Sequence, residues 1–197
     1  MIPIIIFIVI AYLCGSLSSA IIICKLLKLP DPRKEGSGNP GATNVLRIAG
    51  KKAAILVLIG DVLKGCIPVL LARVFTIHGF GLGLVGLGAV VGHMYPVFFK
   101  FKGGKGVATF GGVTIALSFI GGLAFGLAWL IIAVIFRYAS LASLIASLFS
   151  LIYLTIFAKI SYFFPVLAIV LLIIWKHQGN IKRLKAGTES KIKLSSK

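Results

Sequence analysis

The stretch VATFGGVTIALSFIGGLAFGLAWLIIAVIF, residues 107–136, contains no charged side chain in 30 positions. A bilayer core of about 30 Å requires roughly 20 helical residues, so this stretch is long for one crossing and short for two. Ser118 and the pair Gly121 and Gly122 supply turn-forming residues near its middle. We therefore predict a short helix over residues 107–117 and a second helix over residues 120–136. One tilted helix through the whole stretch is the alternative.

The other apolar runs have the length of single crossings. They are residues 2–24, 53–75, 81–99, 141–157 and 162–175. Together with the two helices above, they predict an all-α membrane protein, a polytopic bundle of about seven transmembrane helices. A five-span arrangement is the alternative, in which residues 107–136 cross once and one later run does not cross.

The composition excludes a soluble globular protein, because 59% of the residues are hydrophobic and 13% are charged, against roughly 25% charged in ordinary soluble domains. The chain has 21 Lys and Arg but four acidic residues, which gives a formal net charge of +17. These cations occupy short gaps between apolar runs, so we expect lipid headgroups or a small anion as partners, and no nucleic acid. The three cysteines form no C-x-x-C pair, which predicts neither a disulfide framework nor a metal site.

The distribution of the cations predicts the orientation, since Lys and Arg concentrate in cytoplasmic loops. With the N-terminus outside, the C-terminus cytoplasmic and seven crossings, 18 of the 21 cations lie inside. Arg73 and Lys159 then fall outside, and Lys64 falls within a span. The cytoplasmic cations are those of residues 25–52, 100–105 and 176–197, together with Arg137.

Glycines within the apolar runs predict close helix packing. Gly81, Gly83 and Gly86 fit the dinucleotide-binding pattern, but no strand precedes them and no acidic residue follows at the required distance. Spacing of four residues instead allows membrane helices to approach each other closely. The pairs with this spacing are Gly79 with Gly83, Gly88 with Gly92, and Gly122 with Gly126.

A glycine-rich basic loop, Gly103, Gly104, Lys105 and Gly106, lies at one membrane face. Successive glycines let backbone N–H groups converge on an anion. The N-terminus of the following helix adds its positive dipole end, and Lys105 adds a full charge. The loop therefore predicts a phosphate site, and a flexible basic loop that contacts anionic lipids is the alternative.

The long polar connection contains GSGNPGATNVLR, residues 36–47. We predict that Asn39 caps a helix whose first residue is Pro40. Asn44, Arg47 and Lys51 would then share one face of that helix. Ser37 and Asn39 would lie at its start, where a second anion could bind. Simple capping with a solvated basic face is the alternative.

Two further groups of ionisable residues lie inside predicted spans. His93 is about one to two helical turns from the cytoplasmic interface, and an ionisable residue at that depth is a functional candidate by default. Its alternative is a histidine that hydrogen-bonds a neighbouring helix. Asp61 and Lys64 are one turn apart, which predicts an intramembrane ion pair that either supports the fold or contacts substrate.

The tail provides a third polar group. His177 and Asn180 are one helical turn apart after the last apolar run, and Arg183 and Glu189 follow. A solvated basic tail is the alternative interpretation.

Residues 36–47, residues 92–109 with their Gly-Gly-Lys-Gly loop, and residues 177–189 resemble the three signature regions of the bacterial acyl-phosphate:glycerol-3-phosphate acyltransferases. The resemblance in length and layout covers essentially the whole chain. One departure is visible, since Gln178 and Gly179 stand where the family commonly has Arg and Glu. That departure leaves no role for those two side chains.

The resemblance implies a single integral membrane acyltransferase domain over residues 1–197. Its signature segments, residues 25–52, 92–109 and 176–197, would face the cytoplasm, in a multi-pass protein of the bacterial cytoplasmic membrane. Such an enzyme transfers a fatty acyl group from acyl phosphate to the first (sn-1) hydroxyl of glycerol-3-phosphate and forms lysophosphatidic acid for phospholipid synthesis. It needs no cofactor and no metal, because an acyl phosphate is already activated, and we expect it to act as a monomer.

On this hypothesis Ser37 and His93 are the catalytic candidates, and a substrate phosphate oxygen is the alternative to His93 as the proton acceptor. Three residues are expected to support the site: Asp61, Lys64 and Glu189. The substrate-binding candidates are Asn39, Asn44, Arg47, Gly103, Gly104, Lys105, Gly106, His177 and Asn180. A channel or transporter for phosphate-bearing anions is the alternative function, because basic loops around a glycine-rich bundle also suit ion passage.

Overall fold

The structure, a computed structural model, describes residues 2–192, and over that range the chain forms helices and connecting segments without a strand. Single-turn segments extend several of the helices, at Val97–Phe99, Leu154–Ala158 and Ile160–Tyr162. The α-helices of this range are α1 (Ile2–Gly15), α2 (Ser19–Leu26), α3 (Ala42–Val74), α4 (Gly79–Met94), α5 (Val107–Leu117), α6 (Phe119–Phe136), α7 (Ala139–Tyr153), α8 (Phe163–Lys176) and α9 (Gln178–Lys185).

The predicted bundle of apolar helices is confirmed. Five helical segments of the described range are long and apolar enough to cross a membrane, and the bent pair α8 and α9 makes a sixth if it counts as one span. The α5 helix has 11 residues and is therefore about 16 Å long, short of a bilayer core of about 30 Å. The five segments are Ile2–Leu26, Ala42–Val74, Gly79–Phe99, Phe119–Phe136 and Ala139–Ala158. The count of seven crossings stays a prediction.

The predicted break within residues 107–136 lies at Ser118. Its backbone is extended, with φ −154° and ψ 115°, so α5 ends there and α6 begins at the next residue. The Ser118 hydroxyl oxygen accepts a hydrogen bond from the Gly121 N–H at 3.1 Å, which satisfies one free donor of the new helix. The alternative of one continuous helix through this stretch is wrong.

The predicted start of the third helix is wrong by two residues. The helix begins at Ala42 rather than Pro40, and Gly41 rather than Asn39 precedes it. The Gly41 N–H donates to the Asn39 carbonyl oxygen at 2.9 Å. This tight backbone turn uses the residues that were expected to form the first helical turn.

A break at Gly50 divides α3 into two parts. Gly50 has φ 80° and ψ −178°, a combination that is essentially restricted to glycine. Asn44 is buried, whereas Arg47 is exposed. Asn44, Arg47 and Lys51 therefore do not form the continuous helix face that the spacing predicted.

Glycines allow the backbones of neighbouring helices to touch. A Cβ atom on Gly92 would overlap the carbonyl oxygen of Tyr12 in α1, and one on Gly88 would lie 2.8 Å from the Ile8 carbonyl oxygen. These contacts confirm the packing role of that pair. A Cβ atom on Gly126, by contrast, would have no atom within 4 Å. The four-residue spacing of Gly122 and Gly126 therefore does not indicate a helix contact at Gly126.

The bundle has two distinct ends. The end that carries residues 27–41, 95–106 and 177–192 is called the signature end, and the opposite end is called the far end. At the far end the Arg73 guanidinium donates to the Leu117 carbonyl oxygen at 3.0 Å. Residues of all three signature segments lie together at the signature end.

Candidate functional site

The glycine-rich loop packs against the last turn of α4. The Gly104 N–H donates to the His93 carbonyl oxygen at 3.2 Å. A Cβ atom on Gly103 would overlap that same oxygen, and a Cβ on Gly104 would overlap Nε2 of the His93 ring. Both positions therefore need glycine, and the His93 Nε2 atom faces the loop.

The loop leads directly into a helix N-terminus. Gly106 has φ 83°, in the left-handed region that favours glycine, and α5 begins at the following residue. The first N–H groups of α5 are free of helical partners, and its dipole is positive at this end. Lys105 precedes α5 by two residues and brings a full positive charge to the same loop.

Lys105 joins the loop to the tail through a chain of polar contacts. Its ammonium donates to the side-chain oxygen of Asn180, and the Asn180 amide donates to Glu189 Oε1 at 2.6 Å. The same carboxylate accepts from the Ser140 hydroxyl at 2.7 Å and from Arg183 Nε at 2.7 Å. Glu189 therefore anchors the tail on α7 and orients Asn180 toward Lys105.

Burial and neighbouring charges set the protonation of this network. The pKa of Lys105 is lowered to about 8, chiefly by burial and further by the charges of Arg183 and Arg47, although Glu189 opposes the shift. Burial acts to raise the pKa of Glu189, but the hydrogen bonds from Asn180, Ser140 and Arg183 lower it below its ordinary value. The carboxylate is thus ionised at neutral pH, while Lys105 titrates near the physiological range.

His177 lies next to the same network, between α8 and α9, and is buried. Its Nδ1 atom is 2.8 Å from the Ile173 carbonyl oxygen, and because a carbonyl can only accept, Nδ1 carries the hydrogen. Burial, helped by the charge of Lys105, lowers the pKa of His177 to about 4. The ring is therefore neutral at pH 7, and Nε2 is available as a hydrogen-bond acceptor.

A buried charge cluster lies on the other side of His93. Asp61 Oδ1 is 2.7 Å from Lys64 Nζ, which confirms the predicted intramembrane ion pair. The same carboxylate oxygen is 3.6 Å from His93 Nδ1. Lys64 also donates to the Leu17 carbonyl oxygen at 2.9 Å. The pair thus connects α3 with the break between α1 and α2 and presents a carboxylate to Nδ1 of the His93 ring.

The first signature segment contributes a shaped loop. Asn44 is buried, its Oδ1 atom accepts from the Ser37 N–H at 2.8 Å, and its amide donates to the carbonyl oxygens of Pro32 and Glu35. These partners are all within the loop, so Asn44 holds the loop in shape. Ser37 itself is exposed.

The structure brings most of the predicted site residues together. A Cβ atom on Gly104 would lie 3.2 Å from the Pro40 carbonyl oxygen, so the first and second signature segments meet beside Asn39. Lys105 and Asn180 join the second segment to the third. Ser37 and His93 are not joined by a hydrogen bond within residues 2–192.

Sequence reasoning missed two residues near the site. Ser140 binds Glu189, and its signal is the set of buried serines on one face of α7, Ser140, Ser143, Ser147 and Ser150. Lys176 donates to the Met94 carbonyl oxygen at 3.3 Å and lies 4.2 Å from the centre of the Tyr95 ring. The Ser140 contact holds the tail against α7, and the Lys176 contacts hold the end of α8 against the end of α4.

An apolar groove of about 270 Å³ lies beside the charge cluster. Its lining residues come from the break between α1 and α2 and from one face of α3. They include Leu17, Leu63, Ile67 and Pro68, with Lys64 at the wall. The groove therefore leads from apolar side chains to Lys64, whose ion-pair partner Asp61 lies beside His93.

The assembled site is suited to anionic ligands with a reacting hydroxyl group. Free backbone N–H groups, a helix N-terminus, Lys105 and Arg47 supply positive charge at the signature end. The His93 ring faces the same loop and can exchange a proton there. This set of groups is chemically suited to hold a phosphate close to the imidazole of His93.

Comparison with known proteins agrees with this chemistry. Over 96% of this chain and 98% of its relative, the chain is 56% identical to the glycerol-3-phosphate acyltransferase of Coxiella burnetii (strain Dugway 5J108-111). It is 52% identical to that of Vibrio cholerae serotype O1 (strain M66-2), over 94% of this chain and 88% of the relative.

Two crystal structures have the same fold. Both are of PlsY (YgiH), an integral membrane glycerol 3-phosphate acyltransferase, and both are 45% identical to this chain. The glycerol 3-phosphate form has a TM-score of 0.91 and covers 96% of both chains. The lysophosphatidic acid form has a TM-score of 0.89 and covers 95% of this chain and 94% of the other. The sequence model of the family named glycerol-3-phosphate acyltransferase matches residues 5–187, and this chain therefore belongs to that family.

Proposed function

We propose that this membrane enzyme transfers a fatty acyl group from acyl phosphate to the sn-1 hydroxyl of glycerol-3-phosphate and releases lysophosphatidic acid and inorganic phosphate. Its family defines it as a glycerol-3-phosphate acyltransferase. The related structures hold glycerol 3-phosphate and lysophosphatidic acid, which are the acceptor and the product of this reaction. The observation that carries the proposal is the contact of the His93 ring with the glycine-rich basic loop.

The phosphate groups of the two substrates bind at the signature end in this proposal. The loop of residues 103–106 and the N-terminus of α5 cradle one phosphate through backbone N–H groups. Lys105 and Arg47 supply the full charges. Asn180, held by Glu189, keeps the Lys105 ammonium in place. Asn39 and His177 lie at the two sides of this loop and bind the remaining polar groups of the acceptor.

Acyl transfer proceeds by direct attack in this proposal. The hydroxyl oxygen of glycerol-3-phosphate attacks the acyl carbonyl carbon, the bond from that carbon to the phosphate oxygen breaks, and inorganic phosphate leaves. The hydroxyl proton passes to His93 Nε2, and Ser37 positions the reacting groups. An acyl ester trapped on Ser37 would contradict direct transfer.

Asp61 acts on this step through His93 and is a positioning residue. A carboxylate beside Nδ1 favours the tautomer whose hydrogen is on Nδ1 and whose Nε2 carries a lone pair. It also stabilises the imidazolium that forms when Nε2 accepts the proton. Lys64 compensates the Asp61 charge when the site is empty.

The acyl donor is proposed from the amount of polar surface. A coenzyme A donor brings a nucleotide with further phosphates, yet the longest polar connection between apolar runs has 28 residues, 25–52. Acyl phosphate requires a basic site for one phosphate and an apolar slot for its chain. We place the chain in the groove beside Lys64, which opens between apolar side chains.

Donor identity is tested with purified enzyme and glycerol-3-phosphate. We expect lysophosphatidic acid to form from palmitoyl phosphate and not efficiently from palmitoyl-coenzyme A or palmitoyl carrier protein, measured as product by mass spectrometry. Faster transfer from either thioester would contradict the donor assignment. Protein-dependent phosphate flux in sealed vesicles without a new ester would instead support a transporter.

A variant in the groove separates the chain site from the phosphate site. Ile67→Trp fills part of the groove, so we expect it to slow transfer from a 16-carbon donor more than from an 8-carbon donor. An exposed residue of another helix, Leu130→Trp, is the matched control and should change both rates alike. If the two variants changed the ratio of the 16-carbon to the 8-carbon rate equally, the acyl chain would bind outside this groove.

Lys105 should give the acceptor KM a pH dependence. Its pKa is about 8, so the ammonium is charged below that pH and is lost as the pH rises through it. A hydrogen bond to a charged group contributes about 1.5–3 kcal/mol, and since about 3% of the ammonium remains 1.5 pH units above the pKa, the KM for glycerol-3-phosphate should rise about 10- to 30-fold by pH 9.5. Steady-state kinetics between pH 6.5 and 9.5, a range of about three units around this pKa, measure the change.

Two variants control this measurement. Lys105→Arg keeps its charge throughout this range, so its KM should stay flat where the wild-type KM rises. Lys102→Gln removes an exposed lysine of the same connection and should leave the pH profile unchanged. A wild-type KM that is flat across pH 8 would mean that Lys105 does not bind the acceptor phosphate.

His93→Ala and His93→Gln should lower kcat by a factor on the order of 10² or more if the ring accepts the proton. The KM for glycerol-3-phosphate should change little, because the phosphate contacts remain. The double variant Asp61→Asn with Lys64→Gln removes both charges of the pair without leaving one unpaired, and should lower kcat less. Near-normal kcat in folded His93 variants would assign the proton to a substrate phosphate oxygen.

For the topology we propose seven crossings, with the N-terminus outside and the signature segments in the cytoplasm, in one domain that acts as a monomer in a bacterial cytoplasmic membrane. The cation distribution supports this orientation. In a cysteine-free background, an impermeant maleimide added to intact cells should label Thr76→Cys at the far end but not Lys34→Cys at the signature end. Labelling of Lys34→Cys but not of Thr76→Cys would mean that the protein has the opposite orientation in the membrane.

A further inference from the structure

The far end of the bundle contains an open cup of about 420 Å³. Arg73, His78 and Lys159 contribute basic side chains to its lining, and Ser118 and Tyr162 contribute hydroxyl-bearing residues. These residues come from four separate connections or helix ends. None of them belongs to the signature segments, and the proposed acyl transfer does not use them.

No carboxylate neutralises the cup within the described residues. The ion pairs of the described residues involve the carboxylates of Asp31, Asp61 and Glu189. The partners of these carboxylates do not include the cations of the cup. Asp61 is the acidic residue on α3, and it lies 12 positions before Arg73, about 18 Å along the helix. The cup is therefore a concentration of positive charge next to a membrane boundary.

The backbone adds to this charge. His78 directly precedes α4 and Ser118 directly precedes α6, so the positive dipole ends of two long helices adjoin the cup. Arg73 uses one N–H group on the Leu117 carbonyl oxygen and has further donors. These features favour an anion with several acceptor oxygens.

The rim of the cup is apolar. Large side chains are exposed beside its polar residues on every connection: Val74, Phe75, Phe119, Ile120, Phe157 and Ile160 are each between 63% and 76% exposed. A free inorganic anion would gain nothing from such a rim, whereas acyl chains would cover it. A basic cup bordered by an apolar rim is complementary to an amphiphile, whose anionic group would bind in the cup and whose apolar chains would cover the rim.

We propose that the far-end cup binds the phosphate group of an anionic phospholipid, with the acyl chains of the lipid against the apolar rim. Arg73, His78 and Lys159 contact the phosphate oxygens, and the two hydroxyl groups donate to the remaining oxygens. This lipid site is separate from the acyl-transfer site and does not depend on the reaction proposed above. It recognises the net negative charge of the headgroup.

The test compares lipids that remain bound to the purified protein. Wild type and the double variant His78→Gln with Lys159→Gln are extracted from bilayers with equal amounts of phosphatidylglycerol and phosphatidylcholine, and bound lipids are counted by native mass spectrometry. We expect wild type to retain phosphatidylglycerol preferentially. Loss of the Lys159 charge should lower that preference about fivefold, from the attraction typical of one Lys or Arg near anionic lipid, and loss of the His78 ring removes a further contact to the phosphate.

Arg73 is kept in the variant because it also binds Leu117, and a melting temperature close to that of wild type confirms folding. Lys25→Gln with Lys52→Gln removes two exposed lysines at the signature end and should leave the lipid preference within about twofold, since those positions lie far from the cup. The same preference in wild type and in the cup variant would overturn the proposal.

A second arm distinguishes a lipid from free phosphate. In bilayers of phosphatidylcholine alone, inorganic phosphate should raise the melting temperature of wild type less than added phosphatidylglycerol does, because it cannot cover the rim. Equal protection by phosphate and by phosphatidylglycerol, lost in the cup variant, would assign the cup to free phosphate and overturn the lipid assignment.

Discussion

The candidate site depends on the direct contact between the glycine loop and the end of α4. The Gly104 N–H binds the His93 carbonyl oxygen, and the His93 ring occupies the space where a side chain at position 104 would lie. That contact fixes the imidazole, the backbone donors and Lys105 relative to one another. Because the donors are already oriented, little reorganisation is needed when a phosphate binds.

Three of the four carboxylates have a definable task. Asp31 binds Arg33 within the first signature loop, Asp61 lies between Lys64 and His93, and Glu189 orients Asn180. A glycerol-3-phosphate acyltransferase has an anionic acceptor and gains from such economy, since every additional carboxylate near the loop would repel that acceptor. The remaining positive charge is free for ligands and for membrane headgroups.

Much of the fold could be predicted from the sequence, because apolar runs, turn residues and charge gaps are local signals. The break at Ser118 and the Asp61 and Lys64 pair follow from spacing within single segments. The contact of Asp61 with His93 depends on the rotation of two helices about their axes, and that of Ser140 with Glu189 joins residues 49 positions apart. Spacing alone carries no information on either contact. The hydrogen bonds of Asn44 to the loop that folds over it also cannot be predicted from its position on the helix.

The orientation of the first signature segment relative to the rest of α3 depends on the backbone conformation of Gly50. A Cβ at this position would meet no atom within 4 Å, so glycine is required by conformation and not by space. Any other residue would favour a straight helix through this point. Residues 42–49 would then swing as a rigid arm, and the loop held by Asn44 would be carried away from the His93 ring without any change in the membrane core.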